Sequence, residues 1–211
     1  MISVSYLNSI YDKRKTVELI DKISDANFIH IDLMDGKYVE EKNFEINEVI
    51  DLFKDINKDK DVHLMVNNPE NYIDDLLKIN PKIITFHPDA CTVTTELIDL
   101  IKSKGIKVGI AINSYLEVSR FEYLLDRVDN VLVMSVKAGK GGQEFIPDTY
   151  TKLEHLKMLK KGNNFTIEVD GGINKEIYNK LKDLDVDIFV IGSYICMNEN
   201  FERPIKELIN N

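Results

Sequence analysis

Histidine and carboxylate side chains fall in this chain where a β-strand would aim them at one another. The run Phe28-Ile29-His30-Ile31-Asp32-Leu33-Met34 alternates apolar with chemically active residues. Strand side chains alternate with a period of two, so His30, Asp32 and Met34 share a face. Val62-His63-Leu64-Met65 repeats the arrangement with His63 and Met65, and Ile167-Glu168-Val169-Asp170 puts Glu168 with Asp170. A lone histidine at a strand end is usually a hydrogen-bonded structural residue. Two imidazoles and two carboxylates converging on one mouth are a different matter. His30, Asp32, His63 and Asp170 form a donor set suited to one divalent metal ion such as zinc, iron, manganese or cobalt. Buried carboxylates are costly unless paired, so Asp32 and Asp170 facing one cavity need a cation or must share protons.

Other residues gather around that set. Met34, Met65 and Met134 each end a strand-like run; methionines there ordinarily fill a core, and the alternative is that they line the cavity and keep water from a reactive intermediate. Three glycine-bearing turns, Gly139-Lys140-Gly141-Gly142, Gly171-Gly172 and Gly192-Ser193, follow the last three runs. Each alone reads as backbone geometry, but three in consecutive loops make an anion cradle of exposed amides. Lys140 is either a solvated loop charge or an extra cation over a phosphate. Glu168 either supports the site from below or closes a buried hydrogen-bond network, and His87 is placed behind the site rather than in it.

The elements that must position these residues alternate strictly. β-Branched runs read as strands near 2–6, 28–34, 61–66, 82–87, 106–112, 130–136, 165–169 and 187–192. Helix-like stretches fall near 15–24, 46–54, 69–79, 93–104, 116–127, 148–161, 174–183 and 201–210, with start signals such as Asn68-Pro69 and Asn174. Eight βα units close naturally into a single (β/α)₈ TIM barrel spanning residues 1–211, with chemistry at the C-terminal strand ends and phosphate after strands seven and eight. A doubly wound sheet would carry GxGxxG after its first strand, where this chain reads Tyr6-Leu7-Asn8-Ser9-Ile10-Tyr11.

Composition narrows the function classes. With 27 basic and 36 acidic residues the net charge is −9, which argues against nucleic acid as a partner and obliges an anionic ligand to find a local binding device. The two cysteines, Cys91 and Cys196, match neither a metal nor a disulfide framework, so a reducing cytoplasm is the expected location. No apolar stretch approaches the roughly 20 residues of a membrane span.

Taken together, these segments resemble the ribulose-phosphate 3-epimerases and their pentulose and hexulose phosphate relatives over nearly the whole chain. The likeness is carried by His30-Ile31-Asp32-Leu33-Met34-Asp35-Gly36, Asp61-Val62-His63-Leu64-Met65-Val66, Ile84-Thr85-Phe86-His87, Val133-Met134-Ser135-Val136, Gly141-Gly142-Gln143-Glu144-Phe145-Ile146-Pro147 and Glu168-Val169-Asp170-Gly171-Gly172-Ile173. The resemblance implies a metal-dependent isomerase of the pentose phosphate pathway, commonly homo-oligomeric. Asp32 and Asp170 would exchange a proton at C3 from opposite faces and would hold the metal with His30 and His63. It assigns sugar phosphate contacts to Asn8, His63 and the three glycine loops. Ribulose 5-phosphate is the first expectation and allulose 6-phosphate the second; a non-catalytic sugar-phosphate-binding barrel is a third. Decarboxylation of the orotidine-phosphate type needs Asp-x-Lys-x-x-Asp, whereas this chain has Asp32-Leu33-Met34-Asp35. Departures cluster in the substrate-facing loops. Asn8 stands where the family usually has Ser, Lys137-Ala138-Gly139-Lys140-Gly141-Gly142 where relatives often read Asn-Pro-Gly-Phe-Gly-Gly, and Glu40-Glu41 follows Val39 in place of Pro-Asn.

Overall fold

Strict strand–helix alternation forces parallel pairing, because each crossover returns the chain to the same end of the sheet. The computed structural model, which describes residues 1–43 and 45–210, closes that sheet completely. Asn211, the last residue of the expected domain range, and Phe44 lie outside the described residues. The strands are β1 (Ile2–Ser5), β2 (Phe28–Met34), β3 (Asp59–Met65), β4 (Ile83–Phe86), β5 (Lys107–Ile112), β6 (Asn130–Met134), β7 (Thr166–Asp170) and β8 (Ile188–Ile191). They form a closed barrel in sequence order, and β1 pairs in parallel with β8.

Alternation along each strand divides the molecule into two interiors. Outward side chains such as Ile29, Ile31, Leu33, Val62, Leu64, Val131, Val133 and Val169 join one apolar core with Val17, Ile20, Phe53, Leu97, Leu153 and Leu156 from the helices. Inward side chains form a graded column. Phe28, Ile83 and Ile188, at the beginnings of their strands, pack together as an apolar floor. Above them lie buried Ser3, His30, Asp61, Thr85, Asn130 and Glu168, and then Asp32 and His63.

The helices are α1 (Lys13–Asp21), α2 (Ile46–Phe53), α3 (Ile73–Leu76), α4 (Thr94–Ser103), α5 (Thr149–Lys160), α6 (Lys175–Leu181), α7 (Ser193–Cys196) and α8 (Glu202–Ile209). Two expected helices take another form. Over 69–79 the chain makes only the short α3 between 3₁₀ turns at Pro69–Tyr72 and Leu77–Ile79, bounded by left-handed Asn68 and Asn80. Over 116–127 it forms a 3₁₀ segment at Val118–Leu124 whose buried residues are Val118, Phe121 and Leu124. Apolar side chains three apart eclipse on a 3₁₀ helix, which suits that spacing better than the 3.6-residue turn. The short α7 after β8 was not anticipated, since its four residues follow a glycine turn without an amphipathic period. Among the described residues no helix is long and apolar enough to cross a membrane.

Leu64, fully buried on the outward face of β3, should measure the core without touching the chemistry. Leu64→Ala is expected to lower unfolding free energy by about 2–5 kcal/mol, read as a shift of the urea midpoint. A shift below about 1 kcal/mol would mean that the core between barrel and helices collapses around the gap.

Candidate metal centre and active site

Register brings the functional side chains together before any loop is considered. In the β2–β3 ladder Asp32 stands opposite His63 and Met34 opposite Met65, and in the β6–β7 ladder Met134 stands opposite Asp170. Across the barrel, His30, Asp32, His63 and Asp170 each offer one ligand atom, all within 4.8 Å of one another. His30 Nε2 lies 3.3 Å from Asp32 Oδ1, and His63 Nδ1 lies 3.1 Å from the same oxygen and 3.9 Å from Asp170 Oδ2. His30 Nε2 is buried and makes no hydrogen bond among the described residues. A buried imidazole nitrogen without a hydrogen bond, set among carboxylate and imidazole donors, suits coordination to a cation. The donors present therefore fit a divalent metal.

Behind the ligand atoms stands a second layer. His30 Nδ1 pairs with Asp61 Oδ2 at 2.7 Å, and Ser3 Oγ donates to the same oxygen at 2.8 Å. Asn130 Nδ2 donates to Glu168 Oε2 at 2.5 Å, and Asn130 Oδ1 accepts from Thr166 Oγ1 at 2.7 Å. Ser5 Oγ donates to Asp32 Oδ2 at 3.3 Å. His63 turns its Nε2 toward His87 Nε2 at 2.9 Å. An imidazole whose far nitrogen is held by a carboxylate has its tautomer and orientation fixed for ligation.

The charges of this cluster are interdependent. Burial disfavours charge on His30, but the adjacent Asp32 and Asp61 carboxylates outweigh it and hold the imidazole well above its usual range. Burial likewise works against the Asp32 carboxylate, yet the charge of adjacent His30 and the hydrogen bond of His63 hold it well below the usual range. Asp170 is pushed up to about 6, by burial first and by the Asp32 charge second. Glu168 is driven well above a normal carboxylic acid by burial and by Asp61. His87 is held well below the imidazole range by burial, with His63 adding to the effect.

Above these four side chains a cleft opens to solvent at the C-terminal ends of the strands. Its lining includes Asn8, Asp32, Met34, Met65, Met134, Gly139, Lys140, Gly141, Gly142, Asp170, Gly171, Gly172, Gly192 and Ser193. His30 and His63, fully buried, lie beneath that surface, so His63, expected also to contact substrate, is not among the lining residues. Gln143 Nε2 bonds the carbonyls of Lys137 and Lys140 at 2.7 and 2.5 Å, which folds the loop and leaves exposed Lys137 and Lys140 at the cavity edge. At Gly139 (φ +101) a Cβ would lie 2.8 Å from Val39 Cβ, so the β2–α2 and β6–α5 loops touch over the mouth.

Against this geometry the comparisons are decisive. The profile of the "Ribulose-phosphate 3 epimerase family" matches residues 2–196. The chain belongs to the ribulose-phosphate 3-epimerase family. Its relatives include ribulose-phosphate 3-epimerases of Buchnera aphidicola subsp. Baizongia pistaciae, 37% identical over 87% of this chain and 82% of that protein, and of Helicobacter pylori, 36% identical over 90% and 89%. Solved structures share the fold at lower identity. A Pyrococcus furiosus tryptophan synthase α-subunit superposes with TM-score 0.73 at 18% identity, covering 100% of this chain and 98% of that one. An N-(5'-phosphoribosyl)anthranilate isomerase from the same organism gives 0.68 at 12%, covering 100% and 99%.

Within this family frame, some of the site went unread in the sequence. Asp61 carried a signal, two residues before His63 on one face of the expected strand 61–66, but its partner His30 sits on the neighbouring strand and was not specified by that signal. Ser3, Ser5 and Asn130 carried none, being small polar residues in apolar runs. Lys137 and Gln143 owe their places to the loop's own folding.

Gly172 combines a left-handed φ of +65° with a Cβ position 2.5 Å from the Phe145 backbone nitrogen. Gly172→Ala is expected to cost at least about 1–2 kcal/mol from the backbone conformation alone and to displace the Phe145 segment. Urea unfolding and KM for substrate read the two effects; wild-type values for both would show that the loop adapts without strain.

Proposed function

We propose that this family member, acting as one barrel domain over residues 1–211, epimerises a ketose phosphate at C3, interconverting D-ribulose 5-phosphate and D-xylulose 5-phosphate. Asp32 and Asp170 are the proton-exchanging groups. The observation that carries this reading is that two carboxylates from β2 and β7 line one cavity while their environments drive their proton affinities apart. Pairs of acids separated in this way supply one base and one acid at the same pH. Asp32, kept ionised, removes the proton next to the ketone. Asp170, raised toward neutrality, holds a proton for return to the other face, and the roles exchange in reverse. A single base would return the proton to the face it came from, so inversion needs both.

His30 Nε2, His63 Nδ1, Asp32 and Asp170 are the proposed holders of one divalent ion, with zinc, iron, manganese and cobalt compatible with a two-nitrogen, two-oxygen set. When bound, that ion supplies positive charge against the oxyanion that develops as the C3 proton leaves. Met34, Met65 and Met134 surround the reacting carbon with apolar surface. Gly139, Gly141, Gly142, Gly171, Gly172, Gly192 and Ser193, after β6, β7 and β8, are the proposed phosphate contacts, where barrel enzymes place this group. Lys140, with Lys137 on the same cavity edge, brings local positive charge toward an anion in a protein of net charge −9. Asn8, whose amide packs against Gly141, is proposed to face the sugar.

Purified protein in deuterium oxide is expected to place solvent deuterium at C3 of ribulose 5-phosphate. Absence of exchange with an intact, metal-loaded enzyme would sink the two-carboxylate mechanism. Turnover of allulose 6-phosphate run beside it decides the sugar: a preference of about 100-fold, worth about 2.7 kcal/mol, for the hexulose would replace the pentulose as substrate.

Asp32→Asn and Asp170→Asn should each lower kcat by at least about 10²-fold, the scale of general acid–base catalysis. Chelation should abolish turnover and restored metal should return it. Full activity after verified metal removal would exclude the metal assignment.

A further inference from the structure

His87, the residue immediately after β4, is fully buried and absent from the cavity lining. Its Nε2 lies 2.9 Å from Nε2 of His63, and the two rings are tilted by 38° with centroids 5.0 Å apart. On its other side it packs against Tyr38, at 4.8 Å between centroids. Tyr38 is itself tethered: its hydroxyl donates to Asp89 Oδ2 at 3.2 Å and accepts from the Asn113 amide. The imidazole of His87 is thus held between a strapped tyrosine and the back of His63.

Two ring nitrogens at 2.9 Å require one donor and one acceptor. His63 points Nδ1 at Asp32 and Asp170. To offer a lone pair there, His63 must carry its proton on Nε2, and His87 must then accept on its own Nε2 and keep its proton on Nδ1. A proton on Nδ1 faces the Asp89 carboxylate, whose Oδ1 is 3.9 Å away, beyond direct hydrogen-bond distance. An apolar residue at 87 would fill the same space but leave the His63 Nε2–H unpaired in the barrel interior.

We propose that His87 is a positioning residue for the metal centre: it accepts the Nε2–H of His63 and so fixes that ring to present Nδ1. The inference rests on the reading that His30, Asp32, His63 and Asp170 hold a divalent ion. It makes the two imidazoles unequal. His30 presents Nε2 with the Asp61 carboxylate behind it, whereas His63 presents Nδ1 with a neutral ring behind it. A carboxylate partner raises ligand basicity more than a neutral acceptor does, so His30 is the firm anchor and His63 the weaker ligand.

The test is metal affinity, measured by titrating metal-depleted protein with Zn²⁺ against a chromophoric chelator. His87→Leu is expected to bind about 10–100-fold more weakly than wild type, and His87→Gln, which keeps an acceptor, to recover most of the loss. His87→Leu binding at wild-type strength, with His63→Ala weakened, would overturn this inference alone. Wild type that takes up no zinc, or binding unaffected by His63→Ala, would overturn the metal reading and the inference with it. Nitrogen-15 spectra of the zinc-loaded wild type give an answer that no folding defect can blur. The inference requires His63 ligated through Nδ1 with its proton on Nε2, and His87 protonated on Nδ1 only. Ligation of His63 through Nε2 would refute it.

Discussion

The interior of this barrel must hold Asp32, Asp61, Glu168 and Asp170 around two imidazoles with little access to water, and most of its polar architecture follows from that requirement. Two like charges 4 Å apart repel by about 4 kcal/mol even at an effective dielectric of 20, so four ionised carboxylates cannot share the space. The protein resolves the conflict by position. His30 lies between Asp32 and Asp61 and tends to be charged, which lets those two ionise. Glu168 is driven toward its neutral form, and Asp170, partly open to the cavity with 17% of its side chain exposed, lies between these extremes. The same excess of negative charge that raises the proton affinity of His30 raises the affinity of the pocket for any cation, and metal and proton compete for the same lone pair.

The scaffold is arranged to keep this conflict local. Along β2 the inward residues His30, Asp32 and Met34 interleave with outward Ile29, Ile31 and Leu33, all buried. Polarity rises from the apolar floor of Phe28, Ile83 and Ile188 to the ligand layer, and the methionines return the mouth to apolar character around the cavity. The glycine loops after β6, β7 and β8 line the cavity on the side of Asp170. Tyr38, Asp89 and Asn113 brace the side of His63. The two halves of the mouth thus differ in construction, one of glycine turns and the other of hydrogen-bonded side chains.

Much of this was legible because a closed parallel barrel converts sequence period directly into direction. Alternation in 28–34 and around 63 and 170 was sufficient to place His30, Asp32, His63 and Asp170 on the interior, and strand–helix alternation was sufficient for the barrel. Local signals failed where tertiary packing chose among similar options. The segments 69–79 and 116–127 had apolar residues at helical spacing but folded wholly or partly as 3₁₀ turns, because spacings of three and of 3.6 are hard to separate over so few residues. Asp61 lay inside the expected strand 61–66, but its contact with His30 depends on a side-chain approach between β3 and β2 that alternation does not specify. The pairing of His63 with His87 lies beyond sequence reading, since it depends on a side-chain approach between neighbouring strands and on which nitrogen each ring turns inward.

The two faces of the strands answer to different demands. Buried ion pairs are often replaceable by apolar side chains with no loss of stability, or with a gain, so the inward column of Ser3, His30, Asp61, Asn130 and Glu168 contributes little that a hydrophobic filling would not. Its physical justification is the layer above it: Asp61 and Glu168 set the charge around His30, and Ser3 and Asn130 reach that imidazole through them. Stability comes chiefly from the outward face, where the strands meet the helices in a continuous apolar core. Because neighbouring residues on one strand serve these separate ends, the barrel tolerates an electrostatically strained centre.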